Sequence, residues 1–366
     1  MTATGGFPAP GPQDREPPPC WPSAGLAPTT PPPTGPPLAP PFYSRQAPMA
    51  YIPMLTAHKP GIVPLRPLLF GDILDGAIKA IRFNPKSMVG LSAIVLAVFL
   101  VPSAAVGIGA THLIATQLSK LGPGAQPFAG YPSALLQNLS ITFATAILSG
   151  LLVYVVGQAV LGRKPDIGAT WRATRARVLS LVALMLVSGL FTLLAAALLI
   201  GPGVLVLINN SIGAGLILIF LGVLIFVVLL VAVSTKISLA APAIVLEGHG
   251  VFTGLRRSFA LTKGAFWRIL GITLLAGFLA YIATVLLGMP FSLIGLTIVL
   301  MSGQGSVSGQ MIETFVSHLS ALLTGAITTP FVAAVTGLLY IDRRMRLEAL
   351  DVILLRESQS NPPPPV

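Results

Sequence analysis

Histidine and carboxylate side chains are the groups in this chain that could hold a metal ion or move a proton. His112, Glu313 and His318 lie near the ends of long apolar segments. The five-residue spacing of Glu313 and His318 does not place them on one face of a helix. No carboxylate lies within the apolar segments themselves, where an ion-coupled transporter usually keeps one. The sequence therefore predicts no catalytic, metal-binding or cofactor-binding residue, and no cofactor.

Small residues form two further patterns. Gly201-Pro202-Gly203 and Gly303-Gln304-Gly305 resemble glycine-rich phosphate loops, but neither follows a strand. We interpret both as turns between helices. Ser103, Gly107 and Thr111 recur every four residues, a spacing that lets two membrane helices approach closely. This pattern predicts helix packing.

Basic clusters are the remaining candidates for a binding role. The net charge of +11 could indicate nucleic-acid binding, but the basic residues stand in short groups beside apolar runs, outside any soluble domain. We expect contact with the lipid bilayer and with anionic phospholipid headgroups, and none with nucleic acid. The candidate headgroup contacts are Arg172, Arg175, Arg177, Arg256, Arg257, Lys263, Trp267 and Arg268.

The elements that carry these residues follow from composition. The chain of 366 residues is 54% apolar and 9% charged, with a mean hydropathy of +0.85, whereas soluble domains carry about 25% charged residues. A solvent of lipid removes the need to bury so much apolar surface. Six helices long enough to cross the hydrocarbon core are predicted at about 88–113, 139–161, 178–200, 212–235, 269–288 and 315–341.

One apolar run, 290–301, is too short to cross as a helix. It could extend the fifth helix, enter the membrane without crossing, or form a seventh span. A seventh span would move the C-terminus to the other side of the membrane.

The distribution of charge predicts the orientation. Six spans place 21 of the 22 Lys and Arg residues on one side and leave Lys120 alone on the other. Under the positive-inside rule, both termini are cytoplasmic and the protein lies in the plasma membrane.

The two termini differ from the middle of the chain. Residues 1–66 hold 19 of the 34 prolines, which predicts a disordered, Pro-rich cytoplasmic tail. This tail is either a spacer or a ligand for a protein partner that recognises proline. The six-span domain covers 67–357, and 358–366 is a second disordered tail.

An amphipathic segment precedes every second span. Residues 67–86 have apolar residues at helical spacing with charges between them, and 166–177 and 251–268 resemble them. The predicted fold class is all-α: a polytopic helical bundle whose six spans form three hairpins, each preceded by an interfacial amphipathic helix. The alternative is that the three segments are alike only because the inner loops of any membrane protein are short and basic.

Three stretches resemble a known family. Leu65–Ala77, the stretch from Ala241 to Arg268 and Tyr340–Arg346 are similar to segments of the glycerophosphoryl diester phosphodiesterase membrane domain, and the resemblance covers about 64–357. Some members of that family carry a fused phosphodiesterase barrel with acidic metal ligands and catalytic histidines, which have no counterpart here. The resemblance implies a bacterial, often actinobacterial, membrane protein without that activity.

We therefore predict a non-enzymatic membrane scaffold or accessory subunit that contacts lipids or partners through its basic face. A transporter or lipid-handling protein with a central cavity is the first alternative. A membrane enzyme is the second, and would need acid, base or metal-ligand residues gathered at one depth.

Overall fold

The computed structural model describes residues 61–64, 66–118, 120, 130–209, 211–303 and 306–348, and within these ranges the chain is helical with no strand. The predicted all-α class is confirmed. The helices are α1 (Phe70–Phe83), α2 (Leu91–Leu118, preceded by a π-helical turn at Lys86–Gly90), α3 (Tyr131–Val160), α4 (Ile167–Ile208), α5 (Ile212–Ile237), α6 (Ala240–Leu246), α7 (Val251–Thr262), α8 (Phe266–Ser302) and α9 (Val307–Glu348). The predicted tails lie outside the described residues, except for 61–64 and 66.

Six of the described helical segments are long and apolar enough to cross a membrane, as predicted. They are Lys86–Gln117, Tyr131–Val160, Ile167–Ile208, Ile212–Leu246, Phe266–Ser302 and Val307–Glu348. All six are longer than the apolar runs from which they were predicted. Some of the added length is polar sequence, as at the start of α3, and some is apolar sequence that follows a proline, as in α4 and α8.

Four of the long helices contain an internal proline, and two of these prolines, Pro202 and Pro290, bear on the predictions. α8 continues through Pro290 to Ser302, so 290–301 extends the fifth span. α4 continues through Gly201-Pro202-Gly203, so the predicted turn there is wrong, and the chain turns after Asn209 instead. Membrane helices tolerate proline because neighbouring groups satisfy the freed backbone. The turn predicted at Gly303 is present, with φ +85 at that residue.

The six long helices pair as antiparallel hairpins α2/α3, α4/α5 and α8/α9. Before the first and third hairpins, a separate amphipathic helix ends at an elbow, at Asn84 and at Gly264 (φ +79) respectively. Before the second hairpin there is no elbow. Asp166 caps α4 by accepting a hydrogen bond from the Ala169 amide at 2.8 Å, and the amphipathic turns run directly into the span.

The packed core lies among α1, α2, α3 and α9. Half of the most apolar stretch of α9 is buried against protein, compared with 6% in α4 and α5. Large apolar side chains on these two helices are exposed, such as Leu198 at 75% and Phe220 at 72%. Water would penalise such a surface, whereas lipid tails suit it.

The packed chain begins ahead of the predicted boundary at residue 66. Ile62 and Val63 are buried, and the Ile62 amide donates to the Ala159 carbonyl at 3.3 Å. A Cβ at Gly61 would lie 2.2 Å from the same carbonyl oxygen, so only glycine fits this approach to the end of α3.

Candidate functional site: the charged end of the helical bundle

One end of the bundle gathers the charged residues. It comprises α1, α6 and α7 with the adjoining ends of the long helices, and we call it the charged end; the opposite end is the distal end. Every described Lys and Arg except Lys120 lies in these elements or in the short connections beside them. Hydrogen bonds join segments of the charged end that are far apart in sequence. Asn84 Nδ2 donates to the Pro165 carbonyl at 2.8 Å, and Arg177 Nη1 donates to the Gly248 carbonyl at 2.7 Å.

Asp342, on α9, is the centre of a first buried cluster. Its side chain has no exposed surface, and its Oδ1 accepts a hydrogen bond from the Leu68 amide at 2.8 Å. Arg346 Nε lies 2.9 Å from Oδ1 and Arg268 Nη2 lies 3.1 Å from Oδ2. Both guanidinium groups also donate to the Leu68 carbonyl at 2.8 Å. One carboxylate thus fastens the N-terminus of α1 and the start of α8 to α9.

Glu247, in the turn between α6 and α7, is the centre of a second cluster. Arg257 binds it with two donors, Nε at 2.9 Å from Oε2 and Nη2 at 3.0 Å from Oε1. Tyr340 donates its hydroxyl to the same carboxylate, and Arg344 Nε lies 3.3 Å from Oε1. Arg257 and Arg344 also pair with Glu348. The cluster ties α7 to the end of α9.

Electrostatics stabilise this second cluster in its ionised form. Burial opposes ionisation of Glu247, but hydrogen bonds from Arg257 and Tyr340 and the positive charges of Arg344 and Arg257 lower its pKa below the ordinary 4.5. Burial likewise opposes the charge on Arg257, and the two carboxylates overcome it and raise the pKa of Arg257. At neutral pH the cluster is therefore an ion-pair network, which His249 joins with its Nε2 2.9 Å from Glu247 Oε2.

The structure divides the eight predicted headgroup contacts into two groups. Three have partners within the protein: Arg177 at the Gly248 carbonyl, Arg257 at Glu247 and Arg268 at Asp342. The other five are exposed: Arg172, Arg175, Arg256, Lys263 and Trp267. No described carboxylate lies within ion-pair distance of these four cations. They are therefore the ones left free to meet an external anion.

Exposed aromatic side chains accompany these cations. Trp267 is 79% exposed and Phe252 78%, while Trp171 is about half exposed. Aromatic rings beside basic residues are typical of protein surfaces at the level of lipid headgroups. The charged end thus presents the side chains expected of a membrane interface.

Several residues of the two clusters were missed by sequence reasoning, above all Glu247, Tyr340 and Asp342. The spacing of Asp342 and Arg346, four apart on one helix, is a detectable signal for an ion pair. The pairs that join Asp342 to Leu68 and Glu247 to Arg257 depend on tertiary packing, which no local pattern reports.

A cavity of about 500 Å³ opens beside α5, between the second hairpin and α3, α8 and α9. Its lining contains no charged residue and nine hydroxyl side chains: Thr145, Ser149, Ser234, Thr235, Ser238, Thr273, Thr328, Thr329 and Thr336. Most of these hydroxyls donate to carbonyls of their own helices, as Thr336 does to Val332 at 2.9 Å. Their free lone pairs place hydrogen-bond acceptors along a lining whose surface is otherwise mostly apolar.

The ligand-type residues of the distal end do not come together. His112 and Glu313 are exposed, whereas His318 is buried at 4% exposure. Across the described ranges, no three His, Cys, Asp or Glu residues are grouped in a way that could hold a metal ion.

The fold and the charged end together define a class: an all-helical bundle with the architecture of an integral membrane protein. The chain belongs to the family described as a domain of unknown function (DUF7847), whose model matches residues 70–340. Neither the curated proteins nor the solved structures contain a match to this chain.

Proposed function

We propose that this protein is a non-enzymatic scaffold or accessory subunit of the plasma membrane that binds anionic lipid headgroups at its charged end. Both termini are cytoplasmic in this proposal, since the positive-inside rule places the charged end there. The observation that carries it is the group of exposed cations without described carboxylate partners: Arg172, Arg175, Arg256 and Lys263.

The ion-pair clusters support this assignment because they distinguish the arginines that stabilise the fold from those that are available to bind a ligand. Arg257 and Arg268 pair with Glu247 and Asp342, so both guanidinium groups have partners within the protein. Arg172 and Arg175 lie on one exposed stretch of α4, and Arg256 lies on α7 near the exposed ring of Phe252 in sequence. Each basic residue near an anionic surface contributes about 1 kcal/mol.

A lipid titration tests the proposal. The purified protein is titrated with short-chain phosphatidylglycerol and, separately, with phosphatidylcholine. We expect preference for the anionic lipid, weakened about fivefold by each of Arg172→Gln, Arg175→Gln and Arg256→Gln, and reduced by salt. Lys120→Gln, at the distal end, is the matched control and should change nothing. Equal binding of the two lipids, or equal loss in the control, would contradict the proposal.

A lipid-handling or transport role is the second candidate, and the hydroxyl-lined cavity favours it. The cavity lies between the second hairpin and the rest of the bundle, where α4 and α5 have little protein contact along their spans. A polar, uncharged cleft facing lipid suits the glycerol and ester groups of a phospholipid more than an inorganic ion.

Proteoliposomes carrying a fluorescent phospholipid test this second role. Dithionite added outside quenches only the outer leaflet unless the protein moves lipid between leaflets. We expect quenching beyond half of the signal, and a return to half when Val332→Trp fills the cavity. A signal that stays at half with the unmodified protein would exclude this role.

The resemblance of about residues 64–357 to the glycerophosphoryl diester phosphodiesterase membrane domain stays a prediction. The protein partner for the Pro-rich tail also stays a prediction, and most of that tail lies outside the described residues. Neither adds a catalytic role to the proposal.

A further inference from the structure

A cavity of about 510 Å³ lies between α3, α8 and α9, in the distal half of the bundle. Two glycines of α8, Gly288 and Gly295, stand two helical turns apart on the face that borders it. A Cβ added to Gly288 would lie 3.5 Å from Ser320 Oγ, and one added to Gly295 would lie 3.7 Å from Glu313 Cγ. Polar side chains of α9 therefore reach α8 where α8 has no side chain of its own.

Three polar side chains of this lining have no hydrogen-bond or ion-pair partner among the described residues: Gln137, Glu313 and Ser320. Within the described ranges, Glu313 is the one carboxylate outside the charged end, and it is exposed. No Lys or Arg lines the cavity. A cleft whose lining carries charge of one sign attracts the opposite charge, so the cavity favours a cation.

The other polar groups of the lining are hydrogen-bond acceptors. Four hydroxyls donate their hydrogens to carbonyls of their own helices at 2.8–2.9 Å, which leaves only oxygen lone pairs for a ligand: Thr284, Ser292, Ser317 and Thr324. The rest of the lining is mostly apolar and includes the ring of Phe291. A carboxylate, several acceptors and an apolar wall are complementary to a cation that has N–H donors and an apolar body.

We propose that this cavity binds an amphiphilic primary amine, whose ammonium group pairs with Glu313 and whose apolar chain or ring packs against Phe291. The volume is in the range of small-molecule sites. A quaternary ammonium has no N–H to donate to the acceptors. An aminoethyl phospholipid headgroup would bring a phosphate beside Glu313, with no basic residue in the lining to pair with it. The site is independent of both functions proposed above, because it shares no residue with the charged end or the hydroxyl-lined cavity.

Competition for photolabelling of the full-length protein in an uncharged detergent tests the proposal. An alkylamine carrying a photoreactive diazirine is the probe. The competitors are 4-phenylbutylamine, its trimethylammonium analogue and 4-phenylbutanol, which share a ring and chain but differ in charge and in N–H donors. Dihexanoylphosphatidylethanolamine is a fourth competitor, since it carries the same amine on a lipid headgroup. The readouts are the half-inhibiting concentrations and the labelled peptides identified by mass spectrometry.

We expect labelling on α8 and α9, with 4-phenylbutylamine the strongest of the four competitors. Glu313→Gln should weaken the amine about tenfold relative to the alcohol, because the ammonium loses its charged partner. Asp75→Asn removes an exposed carboxylate of the charged end, so it is the matched control and should keep the ratio of amine to alcohol. Gly295→Leu should weaken every competitor by filling the cavity. Gel filtration and helicity confirm that each variant is folded.

Four results would overturn the proposal: labelling confined to other helices, equal competition by the amine and the alcohol, a ratio that Glu313→Gln leaves unchanged or that Asp75→Asn lowers equally, or no effect of Gly295→Leu. Tighter competition by the trimethylammonium compound or by the phosphatidylethanolamine would also overturn it, because the ligand would then belong to that class instead. If Gly295→Leu does not fold, the labelled peptides and Glu313→Gln, which changes an exposed side chain, still decide the outcome.

Discussion

Asp342 has no exposed side-chain surface, accepts hydrogen bonds from the Leu68 amide and from Arg346, and forms an ion pair with Arg268. Replacing it with alanine leaves the Leu68 amide without this acceptor and leaves the two arginines, each about one-third exposed, without a counter-charge. We expect Asp342→Ala to lower the free energy of unfolding by about 1–3 kcal/mol, measured as a lower thermal unfolding midpoint in detergent. Asp75→Ala is the control, since its exposed pair with Lys79 contributes at most about 0.5 kcal/mol. Equal effects of the two substitutions would contradict the assigned role of Asp342.

Glu247 makes stability depend on pH. Because its pKa is lowered in the folded state, its contribution is present above the ordinary value of 4.5 and is lost as the pH falls through the folded-state pKa. In a series of thermal unfolding measurements from pH 6 to pH 3, the midpoint temperature should therefore decrease once the pH is below 4.5. Glu247→Gln should flatten that part of the curve while being less stable at pH 6. An identical slope in this variant would show that other carboxylates cause the loss.

At the scale of single residues, sequence reasoning found the basic candidates but could not separate their roles. Arg256 and Arg257 are adjacent and alike in sequence, yet Arg256 is exposed while Arg257 pairs with Glu247 and Glu348. The partners lie 10 and 91 residues away. Only tertiary packing decides which of the two arginines is available to a ligand.

At the scale of elements, the second hairpin is held by glycines. A Cβ at Gly222 of α5 would lie 2.1 Å from the Leu199 carbonyl oxygen of α4, a backbone atom that cannot give way alone. We expect Gly222→Ala to push the two helices apart and to cost about 1–3 kcal/mol, measured by thermal unfolding. Gly189→Ala, with no neighbour within 4 Å, should be neutral or slightly stabilising. Similar losses in both variants would refute the close approach at Gly222.

Hydropathy predicted the number and order of the long helices but not their ends. The turn placed at Gly201-Pro202-Gly203 is instead a helical segment, and Gly203 is buried against α5. In water, Gly-Pro-Gly would favour a turn. In a long membrane helix, the cost of unpaired backbone groups in lipid favours continuing the helix, and the small glycines serve close packing.

For the whole molecule, composition predicted an all-helical membrane fold, because 9% charged residues cannot cover the surface of a soluble domain of this size. The arrangement of the hairpins could not be predicted. Spans α4 and α5 have the highest mean hydropathy, 2.5 and 3.6, and only 6% of their most apolar stretches is buried against protein, whereas α3, with a mean hydropathy of 2.1, is 44% buried. Hydropathy thus indicates which spans face lipid, but it does not report which helix packs against which.

The central claim is a bundle of six spans with its charged end in the cytoplasm, and labelling of single cysteines tests it most directly. In a Cys20→Ser background, exposed positions are chosen from the structure: Lys120, Ser211 and Ser302 at the distal end, and Ala173 and Thr253 at the charged end. Buried Thr174 and Thr262 would react poorly on either side of a membrane, so they are avoided.

A membrane-impermeant maleimide is applied to intact cells and, as the accessibility control, to opened cells. We predict labelling of intact cells at 120, 211 and 302 only, with 173 and 253 labelled once the cells are opened. Labelling of intact cells at 173 and 253 but not at the distal positions would reverse the orientation. Labelling at positions from both ends would contradict the six-span account itself.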